Sequence, residues 1–134
     1  MLKNYKLRTT YNEVHDITEE VLATVAESGV QEGTCIVYTP HSTAGITLFS
    51  PWDPAGFVDL DEEIRRLIPT KVDFKHQHDT PQDAAGHVKS ALMGVSVPLI
   101  VHNGKLLIGG SQHVYFLEFD GPRNREFFVK VQAD

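Results

Sequence analysis

The Asn103-Gly104 pair most constrains the fold, because it lies between two apolar runs, residues 95–102 and 105–109. Asn-Gly readily adopts the positive φ angles of a tight two-residue turn, so the pair predicts a β-hairpin. Short strand-like runs of the same kind occur along much of the chain, and residues 33–39 and 45–49 are two of them. Strands joined by short turns favour antiparallel pairing.

Three segments have helical rather than strand periodicity. Asp16 followed by Glu19 predicts a helix start, and Gly29 predicts its end. A second helix is expected between Asp53-Pro54 and Pro69, and a third between Thr80-Pro81 and Gly94. With further strands predicted at residues 2–10, 113–119 and 126–132, the sequence predicts an α+β fold. It should have about seven strands in a mostly antiparallel sheet or sandwich, with about three helices packed on it.

The 134 residues predict one domain, residues 1–134. A net charge of −6 argues against non-specific nucleic-acid binding, which depends on Lys and Arg neutralising phosphates. No run is long and apolar enough for a membrane span, and the N-terminus has no apolar signal region. Cys35 is the only cysteine and lies in a strand-like run, so we interpret it as a core residue. We expect a soluble cytoplasmic protein that binds neither nucleic acid nor membranes.

Three polar clusters interrupt these elements and are not needed for a core. The first is the turn Pro40–Thr47, the second contains His76, His78, Asp79 and His87, and the third runs from Glu118 to Arg125. Convergence of such clusters is typical of a site for a metal and an anionic ligand. Imidazoles are common ligands of divalent ions, and a loop histidine and a helix histidine eleven residues apart can converge.

The anion would be bound by Arg123, Arg125, Ser42 and Thr43, because guanidinium groups and hydroxyl groups donate to phosphate. In the alternative interpretation, Arg123 pairs with Asp120 or Glu118 and holds a turn. Glu118, as a general base, and Ser42 are the candidate catalytic residues. Asp59, Asp79 and Asp83 are weaker candidates, and the last two are also consistent with helix-start residues. Three other histidines match no motif: His15, His102 and His113.

Most of the chain, from about Cys35 to Val131, resembles the YjbQ-like family, also called the secondary thiamine-phosphate synthase family. The matching segments are His41–Ile46, Asp59-Leu60, Phe74–His76, Ala85–Gly94, Pro98–Gly109, Gln112 and Glu118–Arg125. One segment differs, since the family usually reads Gly-Thr-Trp-Gln where this chain has Gly109-Gly110-Ser111-Gln112.

The resemblance implies an α+β homotrimer with a metal site formed by His41, His76 and His87. It favours His76 over His78, which spacing alone leaves open. Three imidazoles suit zinc, with magnesium as the alternative. The implied reaction joins a pyrimidine pyrophosphate to a thiazole phosphate. Two alternatives remain: a metal-dependent hydrolase of a phosphorylated metabolite, and a non-catalytic trimer that binds a small anionic ligand.

Overall fold

A computed structural model describes all residues, 1–134, and contains eight strands and three helices. In chain order these are β1 (Leu2–Thr9), β2 (Val14–Asp16), α1 (Thr18–Ser28), β3 (Gly33–Tyr38), β4 (Ala44–Phe49), α2 (Ala55–Leu67), α3 (Pro81–Met93), β5 (Ser96–His102), β6 (Lys105–Leu107), β7 (His113–Glu118) and β8 (Arg123–Ala133). The predicted α+β class and the three helices are confirmed. The additional strand is β2, whose three residues are too few to produce a readable alternation.

The strands form two antiparallel sheets. One has five strands in the order β1-β8-β3-β5-β6, and the other has three in the order β2-β7-β4. The predicted hairpin is β5–β6, with Asn103 at φ 53° and Gly104 at φ 74°. Pro98 pairs with Ile36 of β3, while β6 pairs only with residues 100–102 of β5. Pro98 therefore lies where β5 has one neighbour, as its missing N–H requires.

The main core lies between the two sheets and α1. Val37 and Val129 come from the five-stranded sheet, Ile46 and Phe116 from the three-stranded sheet, and Val21 from α1. Cys35 also belongs to this core, and burial raises the pKa of its thiol to about 11. The interpretation of Cys35 as an unreactive core residue is thus confirmed.

A second, smaller core covers the opposite face of β7. Tyr115 and Leu117 of β7 pack there with Ile64 of α2 and with Phe119, whereas Phe116 belongs to the main core. Consequently β7 is buried on both faces, and its end at Glu118 lies inside the protein. None of the three helices is long and apolar enough to cross a bilayer.

Candidate metal centre and adjoining anion pocket

The first two turns of α3 position two polar side chains on one face of the helix. The Thr80 hydroxyl accepts a hydrogen bond from the backbone N–H of Asp83 at 3.0 Å, and Pro81 occupies the first helical position. This cap fixes where α3 begins. Asp83 and His87 are four residues apart, so they project from the same face. His87 Nε2 lies 3.3 Å from Asp83 Oδ2.

The loop between α2 and α3 brings a second imidazole to the same carboxylate. His76 Nε2 lies 3.3 Å from Asp83 Oδ2, and its ring meets that of His87 edge-to-face with 5.1 Å between centroids. One ligand atom from each of His76, Asp83 and His87 lies within 4.8 Å of the other two. Two imidazole nitrogens and a carboxylate oxygen form a donor set suited to zinc or another transition metal. The three residues therefore fit a divalent ion.

The other two candidate ligands lie outside this cluster. His78 is exposed, with its ring centroid 6.4 Å from that of His76. His41 is the third ligand implied by the resemblance, but within this chain the residue that clusters with His76 and His87 is Asp83. The Nε2 atom of His41 accepts a hydrogen bond from the backbone N–H of Glu126 at 3.0 Å. Burial and the nearby Arg125 charge lower the pKa of His41.

Arg123 supports the cluster through carboxylates. Its Nε and Nη2 donate to Asp120 Oδ2 at 2.9 and 2.7 Å, and Nη2 also donates to Asp79 at 3.3 Å. The same Nη2 lies 3.6 Å from Asp83 Oδ1, the oxygen that faces away from the histidines. These carboxylates raise the pKa of Arg123. The pairing with Asp120 matches the turn-holding alternative, and the contact with Asp83 orients a candidate ligand.

Glu118 and Arg125 form a buried ion pair beside Thr43, the residue that precedes β4. Arg125 Nε and Nη2 donate to the two carboxylate oxygens of Glu118 at 2.7 and 2.5 Å, and Nη2 also donates to Thr43 Oγ1 at 2.7 Å. Glu118 additionally accepts from the Thr9 hydroxyl and from the backbone N–H of Asp120. Its side chain has no exposed surface. These bonds and this burial favour a structural role for Glu118 over the predicted role as a general base.

The remaining predicted anion ligands differ in accessibility. Thr43 is buried and bonded to Arg125, whereas Ser42 is exposed. Arg125 Nη1 makes no hydrogen bond within the chain, although only 4% of the Arg125 side chain is exposed. Ser42 and His87 line one cavity of about 320 Å³, together with Ser90 of α3.

A second cavity lies on the His76 side of the cluster. It measures about 200 Å³, and Lys71, His76, Asp79 and Thr80 contribute polar groups to its wall. The histidine cluster thus has open space on both sides. A larger cavity, about 460 Å³ beside Asp16 and Tyr115, is lined by none of the predicted site residues.

Asp83 is the cluster member that sequence reasoning ranked too low. Its position at the start of a helix was a sufficient reason for an acidic residue. The spacing of four residues between Asp83 and His87, however, already indicated that both side chains lie on one helix face. The three histidines without a motif lie outside the cluster, where they pair with carboxylates of Glu13, Glu32 and Asp16.

The protein is therefore an α+β protein with two antiparallel sheets and a His-Asp-His cluster. Comparison with known proteins then gives the family: residues 3–134 match the model of the UPF0047 protein YjbQ-like family, so the chain belongs to that family. YugU of Bacillus subtilis is 39% identical over 136 residues, covering 99% of this chain and 100% of YugU. A UPF0047 protein of Methanocaldococcus jannaschii is 39% identical, covering 100% and 96%.

Solved structures agree with this assignment. An uncharacterised YjbQ/UPF0047 protein of Clostridium acetobutylicum is 40% identical with a TM-score of 0.90, covering 97% of this chain and 99% of its own. A YbjQ-like protein of unknown function from Sulfolobus solfataricus is 26% identical with a TM-score of 0.94, covering 100% and 97%. The fold and family are therefore shared over nearly the whole chain.

Proposed function

We propose that this chain is a metal-dependent enzyme that acts on a small phosphorylated metabolite. The convergence of His76, Asp83 and His87 within 4.8 Å carries this proposal. Three protein ligands leave coordination positions open, which is typical of catalytic rather than structural metal sites. When bound, a divalent ion would supply positive charge to phosphate oxygens.

The charges around the cluster support a cation as the missing group. Asp79, Asp83 and Asp120 surround the single guanidinium of Arg123, so negative charge is in excess there. A divalent cation would balance that excess and complete the contacts of Asp83. The phosphate would then be held by the free Nη1 of Arg125 and by the Ser42 hydroxyl.

The family resemblance suggests the reaction to test first. In a thiamine-phosphate synthase-like condensation, the thiazole nitrogen attacks the methylene carbon of the pyrimidine pyrophosphate. The carbon–oxygen bond breaks, and pyrophosphate leaves with the electron pair. Residues that hold pyrophosphate stabilise the charge that develops on this leaving group.

The test compares Asp83→Asn with Asp79→Asn. Both carboxylates contact Arg123, but only Asp83 contacts the histidines. We expect Asp83→Asn to weaken Mn²⁺ or Zn²⁺ binding by about 10-fold or more, and Asp79→Asn to change it by less than about threefold. Metal-stripped, untagged protein titrated calorimetrically gives these affinities. Equal affinities for the two variants would contradict the proposed site.

Activity is measured on the same proteins as pyrophosphate release from the condensation, and as phosphate release from a panel of phosphorylated metabolites. Turnover that is lost in Asp83→Asn but kept in Asp79→Asn supports an enzyme, and the substrate used separates synthase from hydrolase. Metal and pyrophosphate binding without turnover of any substrate would replace the enzyme with a binding protein.

We also propose that the chain self-associates through the outer face of the five-stranded sheet. This face exposes Leu2, Ile36 and Ile100, with 61, 45 and 57% of their surface accessible. Leu2, Ile36 and Phe128 line a largely apolar cavity of about 330 Å³ there. Contiguous apolar surface of this kind favours a protein interface.

Light scattering coupled to gel filtration tests the homotrimer. Ile36→Lys should lower the measured mass towards one chain, because it places a charge in the apolar face. Val72→Lys, in an exposed loop, is the matched control and should leave the mass unchanged. A wild-type protein that elutes as a single chain would contradict this interface.

A further inference from the structure

The ladder between β3 and β8 ends at an unusual pair of side-chain contacts. Backbone pairing stops at Tyr38 and Phe128. Beyond it, the Thr39 hydroxyl donates to the carbonyl of Glu126 at 2.9 Å, and the N–H of Glu126 donates to His41 Nε2 at 3.0 Å. The two side chains thus replace the missing strand and satisfy both backbone groups of Glu126.

This contact fixes the tautomer of His41. A ring nitrogen that accepts a hydrogen bond from an N–H carries no proton, so Nε2 is unprotonated and the proton of the neutral ring is on Nδ1. Burial and the charge of Arg125 favour the same neutral ring. His41 therefore presents an N–H donor on its Nδ1 side.

The same contact opposes metal coordination by His41. Coordination through Nε2 would use the lone pair that Glu126 already occupies. Coordination through Nδ1 would move the proton to Nε2, where it would face the N–H of Glu126. Either mode removes the partner of a part-buried backbone N–H, which costs about 1–3 kcal/mol.

Neighbouring residues place other donors in the same region. Arg125 precedes Glu126 and is bonded to Thr43 through Nη2, while its Nη1 is free. Ser42 lies between His41 and Thr43 and lines the cavity of about 320 Å³ that also borders His87. The turn 41–43 is thereby held against β8, next to the space beside the candidate metal ligands.

We infer that His41 is a ligand-binding residue that donates its Nδ1 hydrogen to the anionic group of the bound metabolite, instead of coordinating the metal. This inference rests on the proposed function for the presence of an anion near the metal. Together with Arg125 Nη1, the imidazole would bind a phosphate oxygen. A neutral donor binds that oxygen without losing a proton to it.

Two substitutions separate the two sides of the ring. In His41→Gln the amide oxygen can replace Nε2 as the acceptor for Glu126, but the donor on the Nδ1 side is lost. In His41→Asn the amide nitrogen can replace Nδ1 as the donor, but the acceptor for Glu126 is lost. The first variant should retain stability and lose anion affinity, and the second should show the reverse.

The probe is inorganic pyrophosphate, titrated calorimetrically into Mn²⁺-loaded protein. We expect His41→Gln to bind it about 10-fold more weakly than wild type, because a hydrogen bond to a charged group is lost. His41→Asn should bind more tightly than His41→Gln but unfold at lower urea concentration. Both variants should retain the wild-type Mn²⁺ content.

Nitrogen NMR of the free protein reads the tautomer directly, and Nδ1 should be the protonated atom. Protonation of Nε2 would overturn the inference. So would wild-type pyrophosphate affinity in His41→Gln, or loss of Mn²⁺ from it, which would make His41 a metal ligand. A wild type that binds no pyrophosphate would also overturn the inference. The proposed function fails separately, when Asp83→Asn binds Mn²⁺ as wild type does.

Discussion

At the scale of single residues, Lys89 is a buried lysine without an ion-pair partner. Only 2% of its surface is exposed, and its ammonium group makes no hydrogen bond or ion pair within the chain. Burial, followed by the charge of Arg65, lowers the pKa of Lys89. Asp61, whose charge partly opposes this effect, already accepts hydrogen bonds from Asn12 and Arg65. Folding therefore works against the charge of Lys89.

Replacing Lys89 with Met should raise the free energy of unfolding at pH 7. The lowered pKa penalises the folded state fully below that pKa, and the penalty disappears as pH rises to the unfolded value of about 10.4. The advantage of Lys89→Met over wild type should therefore shrink between neutral pH and pH 10. Urea unfolding at several pH values measures it. Lys75→Met, in the exposed loop, is the control, and an equal, pH-independent gain in both variants would contradict the assignment.

At the scale of elements, the placement of α3 depends on the close approach of Gly86. A Cβ built at Gly86 would lie 2.9 Å from the carbonyl oxygen of Phe119 and 3.3 Å from Thr43 Cβ. Both neighbours are buried. The absent side chain thus lets α3, with Asp83 and His87, pack against the chain that follows β7.

We expect Gly86→Ala to destabilise the protein by about 1–3 kcal/mol, because backbone must shift to admit the methyl group. Gly56→Ala in α2 is a matched control, since its Cβ would meet only the ring of Phe49, at 3.3 Å. That change should be neutral or slightly stabilising, because alanine favours helix over glycine. Urea unfolding compares the two variants. Equal midpoints would contradict the prediction, because they would show that α3 can shift to admit the methyl group without loss of stability.

At the scale of the whole molecule, the Glu118–Arg125 pair ties the two sheets together. Glu118 ends β7 of the three-stranded sheet, and Arg125 lies in β8 of the five-stranded sheet. Thr9 at the end of β1 and Thr43 before β4 bond to the same pair. One buried network therefore connects three strands and the turn before β4 at the edge of the candidate site.

Glu118→Gln should cost about 3–5 kcal/mol of unfolding free energy, because it leaves the Arg125 charge buried without its partner. Glu63→Gln, which removes one partner of the exposed pair with Arg66, should have little effect. Chemical unfolding measures both. A metal affinity that is unchanged in Glu118→Gln would agree with a structural role for Glu118, whereas wild-type stability would contradict it.

The sequence by itself determined the elements and the family. Alternating apolar residues, the Asn103-Gly104 turn and the Thr80-Pro81 helix start are local signals, so seven strands and three helices could be predicted from them. The motifs from His41 to Arg125 identified the YjbQ-like family. The strand β2 was missed, because its three residues are a strand only through pairing with β7, which lies about 100 residues later in the chain.

Only the tertiary structure decided the roles within the site. Whether His76 meets Asp83, whether Glu118 is buried and which nitrogen of His41 faces Glu126 all depend on residues brought together from distant positions in the chain. Local patterns contain no information about such contacts. They arise from the packing of strands, turns and α3 against one another, which fixes side-chain distances and exposure together.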